Sequence, residues 1–427
     1  MFQTQTVKEK FILAAIEKDD DGNAAEENLK ELALLVETGG GETVGRIIQK
    51  REAAHPRFYL GTGKTEELRE LMLETNADGV VCDDELSPAQ HRNLEKVLNA
   101  SVLDRTMVIL DIFAGRAVFS AGKAQVETAQ LKYRLSRLSG HGIALSRLGG
   151  GIGTRGPGER KLESDRRHIR NRIAHLNEEL KEIADQRDLL RQSRKYPVVS
   201  LVGYTNAGKS TLMNAITGAS VLAEDKLFVT LDTVTRAAKL PNGGETLFID
   251  TVGFIKKLPH HLIQSFKATL DELKYSDILL HVVDASNPAI EEQMSVVYNT
   301  LKDLGVLDKP IITVFNKSDK VGSEEVDVRL PNDNIARTTV GVSALTGKNI
   351  DRLLIDIEKL LQDLRKQIFL MIPYSDGRFV TMVHERGEIL EEKHLEAGTY
   401  IKAYLDSETV ARLSEFVMDK FFAADNL

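Results

Sequence analysis

Gly203-Tyr204-Thr205-Asn206-Ala207-Gly208-Lys209-Ser210 is the stretch whose reading decides the fold. It carries the G-x-x-x-x-G-K-S spacing of a phosphate-binding loop. Tyr196-Pro-Val-Val-Ser-Leu-Val202 before it reads as a buried strand, and Thr211-Leu-Met-Asn-Ala-Ile216 after it reads as the opening turns of a helix. That strand–loop–helix order is the context the motif requires. Its glycines let successive backbone N–H groups point at a polyphosphate, and the helix N-terminus adds favourable potential for an anion. Lys209 would bridge the β- and γ-phosphates, and the Ser210 hydroxyl would ligate Mg²⁺.

Working outward, Phe248-Ile249-Asp250-Thr251-Val252-Gly253 is an apolar strand ending in D-x-x-G. Asp250 would reach Mg²⁺ through a water, and the Gly253 N–H would sense a γ-phosphate. Ile311-Ile-Thr-Val-Phe315 runs into Asn316-Lys317-Ser318-Asp319, the N-K-x-D pattern of a guanine reader. A carboxylate at Asp319 accepts from guanine N1–H and the 2-amino group. Adenine offers neither donor and would leave the carboxylate unpaired. Lys317 would lay its stem along the base, and Asn316 would brace the loop. Ser343-Ala344-Leu345 supplies a backbone N–H, at Ala344, for guanine O6. Four motifs in this order indicate a GTP-binding, GTP-hydrolysing domain. Thr230, Thr233 and Thr235 are candidates for the Mg²⁺-sensing threonine of the first switch, with Thr230 favoured. Phe254 stands where related enzymes place a glutamine that orients water, so hydrolysis should be slow until a partner completes the site. Asn206, three residues before Lys209, fits two roles: a ligand for K⁺ beside the phosphates, or a brace for the loop.

The remainder sets the frame. At 427 residues the chain should hold two to four domains, and 42% hydrophobic residues suffice for ordinary cores. A single Cys82 excludes an internal disulfide framework and fits a reducing cytosol. Met1-Phe-Gln-Thr-Gln-Thr-Val-Lys8 has no signal-peptide core, and the apolar runs are strand-sized, so a cytoplasmic protein without a membrane span is expected. Nothing suggests an obligate oligomer, and a monomer is expected. The net charge is −8, yet residues 116–195 hold 18 Lys/Arg against 9 Asp/Glu. Such a basic segment on an acidic protein points to a localised polyanion contact.

The expected fold class is α/β, in four parts: a small parallel-sheet α/β domain (1–115), a basic antiparallel helical hairpin (116–195), the P-loop domain (196–362) and a small α+β subdomain (363–427). In the first part Leu29 to Thr38 is partly apolar. Phe58-Tyr59-Leu60-Gly61 reads as a strand opening into a helix at Lys64, and Gly79-Val80-Val81-Cys82 as a short strand. Gly61-Thr62-Gly63-Lys64-Thr65 lacks the leading glycine of a second P-loop and reads as a tight turn. An ATP-driven RNA-remodelling site there is the weaker alternative. In the hairpin, a helix over 124–138 faces one over 160–194 with a heptad seam at Leu162, Ile169, Leu176, Ile183 and Leu190, and a partial one at Ile173 and Leu180. Six of the ten residues 149–158 are glycine, flanked or studded by Arg147, Arg155 and Arg160, which suits insertion into folded RNA. In the tail, 368–372, 379–383 and 400–401 read as strands and 410–417 as a helix.

Asp111-Ile-Phe-Ala114, Gly122-Lys123-x-Gln125-Val126-Glu127-x-Ala129-Gln130-Leu131, the run Ser146-Arg147 to Glu159 and the P-loop together resemble the HflX family of translation-factor-class GTPases, related to Obg. Arg160 departs from the family pattern, where a threonine is expected. The resemblance implies binding to the large ribosomal subunit and its rRNA, and splitting of whole or stalled ribosomes with hydrolysis releasing the factor. It also implies that Ser210 and Thr230 carry Mg²⁺ and that Phe228, Val229, Thr230, Leu231 and Asp232 form the first switch. Assembly or silencing of the large subunit without splitting is the alternative.

Overall fold

The computed structural model describes residues 8–18, 24–138, 157–192, 196–218, 227–228, 233–257, 270–321, 330–405 and 407–418. At the N-terminus, β1 (Lys10–Glu17), β2 (Glu42–Lys50), β3 (Gly79–Cys82) and β4 (Ser101–Asp104) form a parallel sheet in the order β2-β1-β3-β4. Its helices are α1 (Ala24–Thr38), α2 (Thr62–Thr75), α3 (Pro88–Leu98) and α4 (Arg105–Arg116). The alternation of strand and helix gives the parallel sheet, as each crossover helix returns the chain to the end at which the previous strand began. Ile12, Ala14, Val80, Cys82 and Val102 of the sheet bury against Leu68, Met72, Leu94 and Leu98 of α2 and α3. Start signals are clear at α3: Ser87 caps it reciprocally with Gln90, and Pro88 takes the first helical position.

One expected strand is absent. Residues 58–60 are buried but lie in a turn, with an isolated bridge between His55 and Tyr59 and a Tyr59 φ of 69°. A left-handed backbone cannot continue a strand, and the sheet takes β2 from farther upstream instead. The apolar run 107–112 belongs to α4, whose N-terminus is capped by Asp104 accepting from Met107 N at 3.0 Å.

The hairpin consists of α5 (Ser120–Leu138) and α6 (Pro157–Gln192). Arg172 makes a two-pronged contact with Glu127 at 2.7 and 2.8 Å, and Arg166 Nη2 donates to the Leu138 carbonyl at 2.7 Å. Partner positions fall on α6 as they rise on α5, so the helices run antiparallel. Leu176 is buried and Ile169, Ile173, Leu180 and Ile183 are half-buried, which follows the apolar seam. Residues 139–156 of the connection, with Arg147 and Arg155, lie outside the described residues, and Pro157 and Gly158 open α6.

The P-loop domain is built from β5 (Val198–Gly203), α7 (Lys209–Thr217), β6 (Val234–Lys239), β7 (Glu245–Asp250), β8 (Ile278–Asp284), α8 (Ile290–Asp303), β9 (Ile311–Asn316), β10 (Thr338–Gly341) and α9 (Ile350–Leu364). The sheet order is β10-β9-β8-β5-β7-β6, parallel except for β6. β5 and β9 are buried along their whole length, as largely apolar runs in a two-sided parallel sheet should be.

The tail forms an antiparallel sheet β12-β13-β11-β14 from β11 (Lys366–Ile372), β12 (Glu388–Leu395), β13 (Gly398–Leu405) and β14 (Val417–Met418), with α10 (Gly377–Arg386) and α11 (Ser407–Arg412). The expected strand at 379–383 is helix α10. Phe379, Val380 and Val383 recur at helical spacing and pack on Leu370, Ile401 and Leu413, so tertiary burial overrides β-branched propensity. The expected helix over 410–417 stops at Arg412; a 3₁₀ turn (Ser414–Phe416) then delivers Val417 and Met418 to β11. The α/β class holds.

The described residues fall into two units. One takes in Met1–Arg187, Leu222–Thr233 and Thr251–Leu270; the other takes in Asp188–Val221, Val234–Asp250 and Asp271–Leu427.

Candidate nucleotide site

In the second unit, β5 is the strand at which chain order reverses: β6 and β7 lie on one side, β8 to β10 on the other. The crevice beyond the carboxyl end of such a strand is where open α/β sheets bind ligands, and the P-loop leaves β5 there. Glycine is required at two of its positions. A Cβ on Gly203 would run into the Val282 carbonyl of β8, and one on Gly208, at φ 92°, would strike Asn316 Nδ2. The loop is therefore packed directly on the strand ends beneath it. Lys209 is 6% exposed and donates from Nζ to the Gly203 and Tyr204 carbonyls at 3.1 and 2.9 Å. Burial pulls its ammonium down to a pKa of about 8, against the opposing pull of Asp250. An anionic phosphate would restore the missing counter-charge. Ser210 Oγ donates to Asp250 Oδ2 at 2.7 Å. A hydroxyl and a buried carboxylate side by side are a donor set suited to a hard divalent cation.

The guanine motifs converge on the same loop through Asn316. Its Nδ2 donates to the Ala207 carbonyl at 2.9 Å, and its Oδ1 accepts from Ala344 N at 3.0 Å. One buried amide thus ties the P-loop, the N-K-x-D turn and the Ser343–Leu345 turn together. The Ala344 N–H, expected to face guanine O6, has a protein acceptor in this structure. Ser343 Oγ donates to Asp319 Oδ1 at 2.5 Å and accepts from Thr346 N at 3.2 Å, which aims the Asp319 carboxylate. Ser318 N donates to the Val342 carbonyl at 3.1 Å. Lys317, at φ 61°, pairs with Asp284 at 2.8 Å. Asp284 was not among the expected site residues, although an acidic residue closing the apolar run of β8 marks it in the sequence. Leu345 is exposed beside this turn, while Thr205 is buried within the P-loop and Asn206 adopts φ 61°.

Thr251, Val252, Gly253 and Phe254 are buried, and with Phe228 they group with the first unit. There Phe228 meets Phe113 of α4 edge-on at 4.7 Å. Lys257 Nζ donates to Asp83 Oδ2 at 2.5 Å and Asp84 Oδ1 at 2.6 Å, just beyond β3. Arg105, 1% exposed, contacts Asp83, Glu31 and the Lys256 carbonyl, and Tyr59 donates to Asp84 at 2.7 Å. The two cations hold the Asp83 carboxyl below its usual range despite its burial. None of these contacts was foreseen: a pair of aspartates after a short strand has many readings in sequence. Of the three threonines, Thr235 sits in β6 opposite Ile249 and Thr233 just precedes it. Thr230, Val229, Leu231 and Asp232 lie outside the described residues.

At the second glycine-rich turn, the Gly61 N–H is taken by Gln49 Oε1 at 2.7 Å, Lys64 pairs with Glu67 at 2.7 Å and Thr65 Oγ1 donates to the Gly61 carbonyl. These are the bonds of a turn leading into α2. Among the described residues no group of three or more His, Cys, Asp or Glu could hold a metal ion, and no helix is long and apolar enough to cross a membrane.

Family profiles match along most of the chain: "GTP-binding GTPase N-terminal" over residues 26–114, "GTP-binding GTPase Middle Region" over 116–194, and "50S ribosome-binding GTPase" over 198–317. Among curated relatives, the GTPase HflX of Lacrimispora saccharolytica is 49% identical over 97% of this chain and 98% of its own. That of Caldanaerobacter subterraneus is 47% identical over 96% and 94%, and that of Escherichia coli 41% over 93% and 94%. A P-loop domain with a guanine-reading turn, relatives of this identity and coverage that share one name, and three profiles in register lead to one assignment: the chain is a GTP-hydrolysing enzyme and belongs to the HflX GTPase family.

Proposed function

We propose that this protein binds the large ribosomal subunit through rRNA, splits whole or stalled ribosomes in its GTP state, and leaves when GTP is hydrolysed. The observation that carries the reading is the basic hairpin α5–α6, in the same chain as a GTPase site that has Phe254 where a water-orienting glutamine would stand. The description "50S ribosome-binding GTPase" for the matched profile supports it. In this reading Lys209 and the amides of Gly203 to Ser210 hold the phosphates. Ser210 and Thr230 ligate Mg²⁺, and Asp250 reaches it through a water. Gly253 senses the γ-phosphate with Thr251 and Val252 beside it. Residues 228–232 form the first switch, while Asn316, Lys317, Ser318, Asp319, Ser343, Ala344 and Leu345 hold guanine. Asn206 recruits K⁺, which offsets phosphate charge as an arginine finger would. The protein acts as a monomer in the cytoplasm.

The test is GTP turnover in K⁺ buffer with and without purified large subunits, alongside sedimentation of whole ribosomes with the protein and a non-hydrolysable GTP analogue. Stimulated turnover together with a shift from whole ribosomes to subunits is expected. Stimulation without the shift would leave a large-subunit factor that does not split. Fast basal turnover without stimulation would sink the ribosome reading.

A further inference from the structure

Asp284 is the last residue of β8, and parallel pairing sets it beside Asn316, the first residue of the N-K-x-D turn. The two strand ends are bonded there, Ala285 N donating to the Asn316 carbonyl at 2.9 Å. The carboxylate is divided between two tasks. Oδ1 accepts from Ser286 N at 3.0 Å and Ser286 Oγ at 2.6 Å, which fixes the plane of the group. Oδ2 faces the Lys317 ammonium at 2.8 Å, in a pair whose side chains are only 14% and 19% exposed. Lys317 leaves the backbone at φ 61°, so its side chain departs in a direction set by the turn, and Asp284 fixes where its far end stops. A lysine stem that must lie flat along a purine loses rotamer freedom on binding unless something already holds it. A group held in the bound arrangement beforehand leaves more of the contact energy as affinity.

We propose that Asp284 is a positioning residue for guanine-nucleotide binding, which preorganises Lys317 as the face on which the base lies. The inference rests on reading the N-K-x-D turn as the guanine site. In this role Asp284 acts through Lys317 and reads no edge of the base. It therefore contributes to affinity for any purine nucleotide this site admits and not to the choice between them, which belongs to Asp319.

Asp284→Asn and Asp284→Ala separate this role from a structural one. Asparagine keeps a side-chain oxygen for Ser286 and loses only the charge facing Lys317; alanine loses both. Dissociation constants for GDP and IDP, which lacks the 2-amino group, are measured by titration calorimetry on the full chain, together with KM and kcat for GTP. Both variants are expected to weaken GDP and IDP by the same factor, about tenfold, with the loss in KM rather than kcat. Lys317→Ala is expected to weaken binding similarly, and the double variant Asp284→Asn/Lys317→Ala to lose little more, as residues acting in series do. Normal affinity in Asp284→Asn with loss in Asp284→Ala would reduce Asp284 to a brace for its own turn and overturn the proposal. So would additive losses, or a changed ratio of GDP to IDP affinity. Asp319→Asn is the control for the underlying reading: unchanged guanine preference there would show that the turn is not the guanine site, whatever Asp284 does.

Discussion

Lys209 and Asp319 carry the two halves of nucleotide recognition, and each can be tested alone. Lys209 sits buried, its ammonium held by two loop carbonyls and the field of Asp250. Lys209→Ala should abolish measurable GTP binding, and retained binding in a filter or fluorescence assay would refute its role. Asp319→Asn should move preference from guanine toward xanthine nucleotides, since an amide can donate to a 2-carbonyl where the carboxylate could only accept. A third residue sets acid sensitivity. His281 of β8 is wholly buried, its ring set edge-on to Tyr298 at 4.8 Å. Among the described residues neither ring nitrogen has a hydrogen-bond partner. Burial pulls its pKa down to about 4 from 6.5; Asp333 opposes this and Lys209 reinforces it. The unfolded chain takes up this proton below pH 6.5, and the folded chain does not until about pH 4. Stability is therefore full above 6.5 and falls by about 1.4 kcal/mol per pH unit on the way down. His281→Leu should flatten that part of the slope in urea denaturation of the GTPase unit; an unchanged slope would show that other groups set it.

Between elements, ion pairs with similar distances have very different weights because their burial differs. Arg172 and Glu127 join α6 to α5 at 2.7 Å, but both are more than 40% exposed. Glu127→Ala should cost no more than about 1 kcal/mol. Asp83 is 1% exposed and shared by Arg105 and Lys257. Asp83→Ala leaves a buried guanidinium with part of its charge unmatched, and should cost about 3 kcal/mol in thermal or urea unfolding of the first unit. Lys257→Ala, removing a side chain 36% exposed, should cost less. Equal losses in the two variants would mean that Lys257, and not the burial of Arg105, dominates the cluster. Element identity itself was mostly legible in sequence. Apolar runs of β-branched residues gave β5 and β9. The failures at 58–60 and 379–383 share a cause: short apolar stretches carry no period long enough to separate strand, helix and buried turn.

For the whole molecule, charge is partitioned: the hairpin segment is basic and the remainder acidic. Neutralising Arg147 and Arg155 together should weaken stimulation by large subunits while basal GTP turnover persists, as neither lies in the nucleotide motifs; unchanged stimulation would remove the loop from the interaction. The sequence by itself determined the P-loop, the D-x-x-G and N-K-x-D motifs, the α/β class and the hairpin seam. Each is a local pattern whose spacing mirrors a backbone geometry, so contiguous residues suffice to declare it. Only the tertiary structure decided that Asn316 ties three motifs together and that Asp284 holds Lys317. Likewise, it alone grouped Phe228 and Lys257 with Phe113, Asp83 and Asp84. These partners lie 28 to 174 residues apart in the chain. A side chain's partner across such a separation is fixed by strand order and register, which no local pattern encodes.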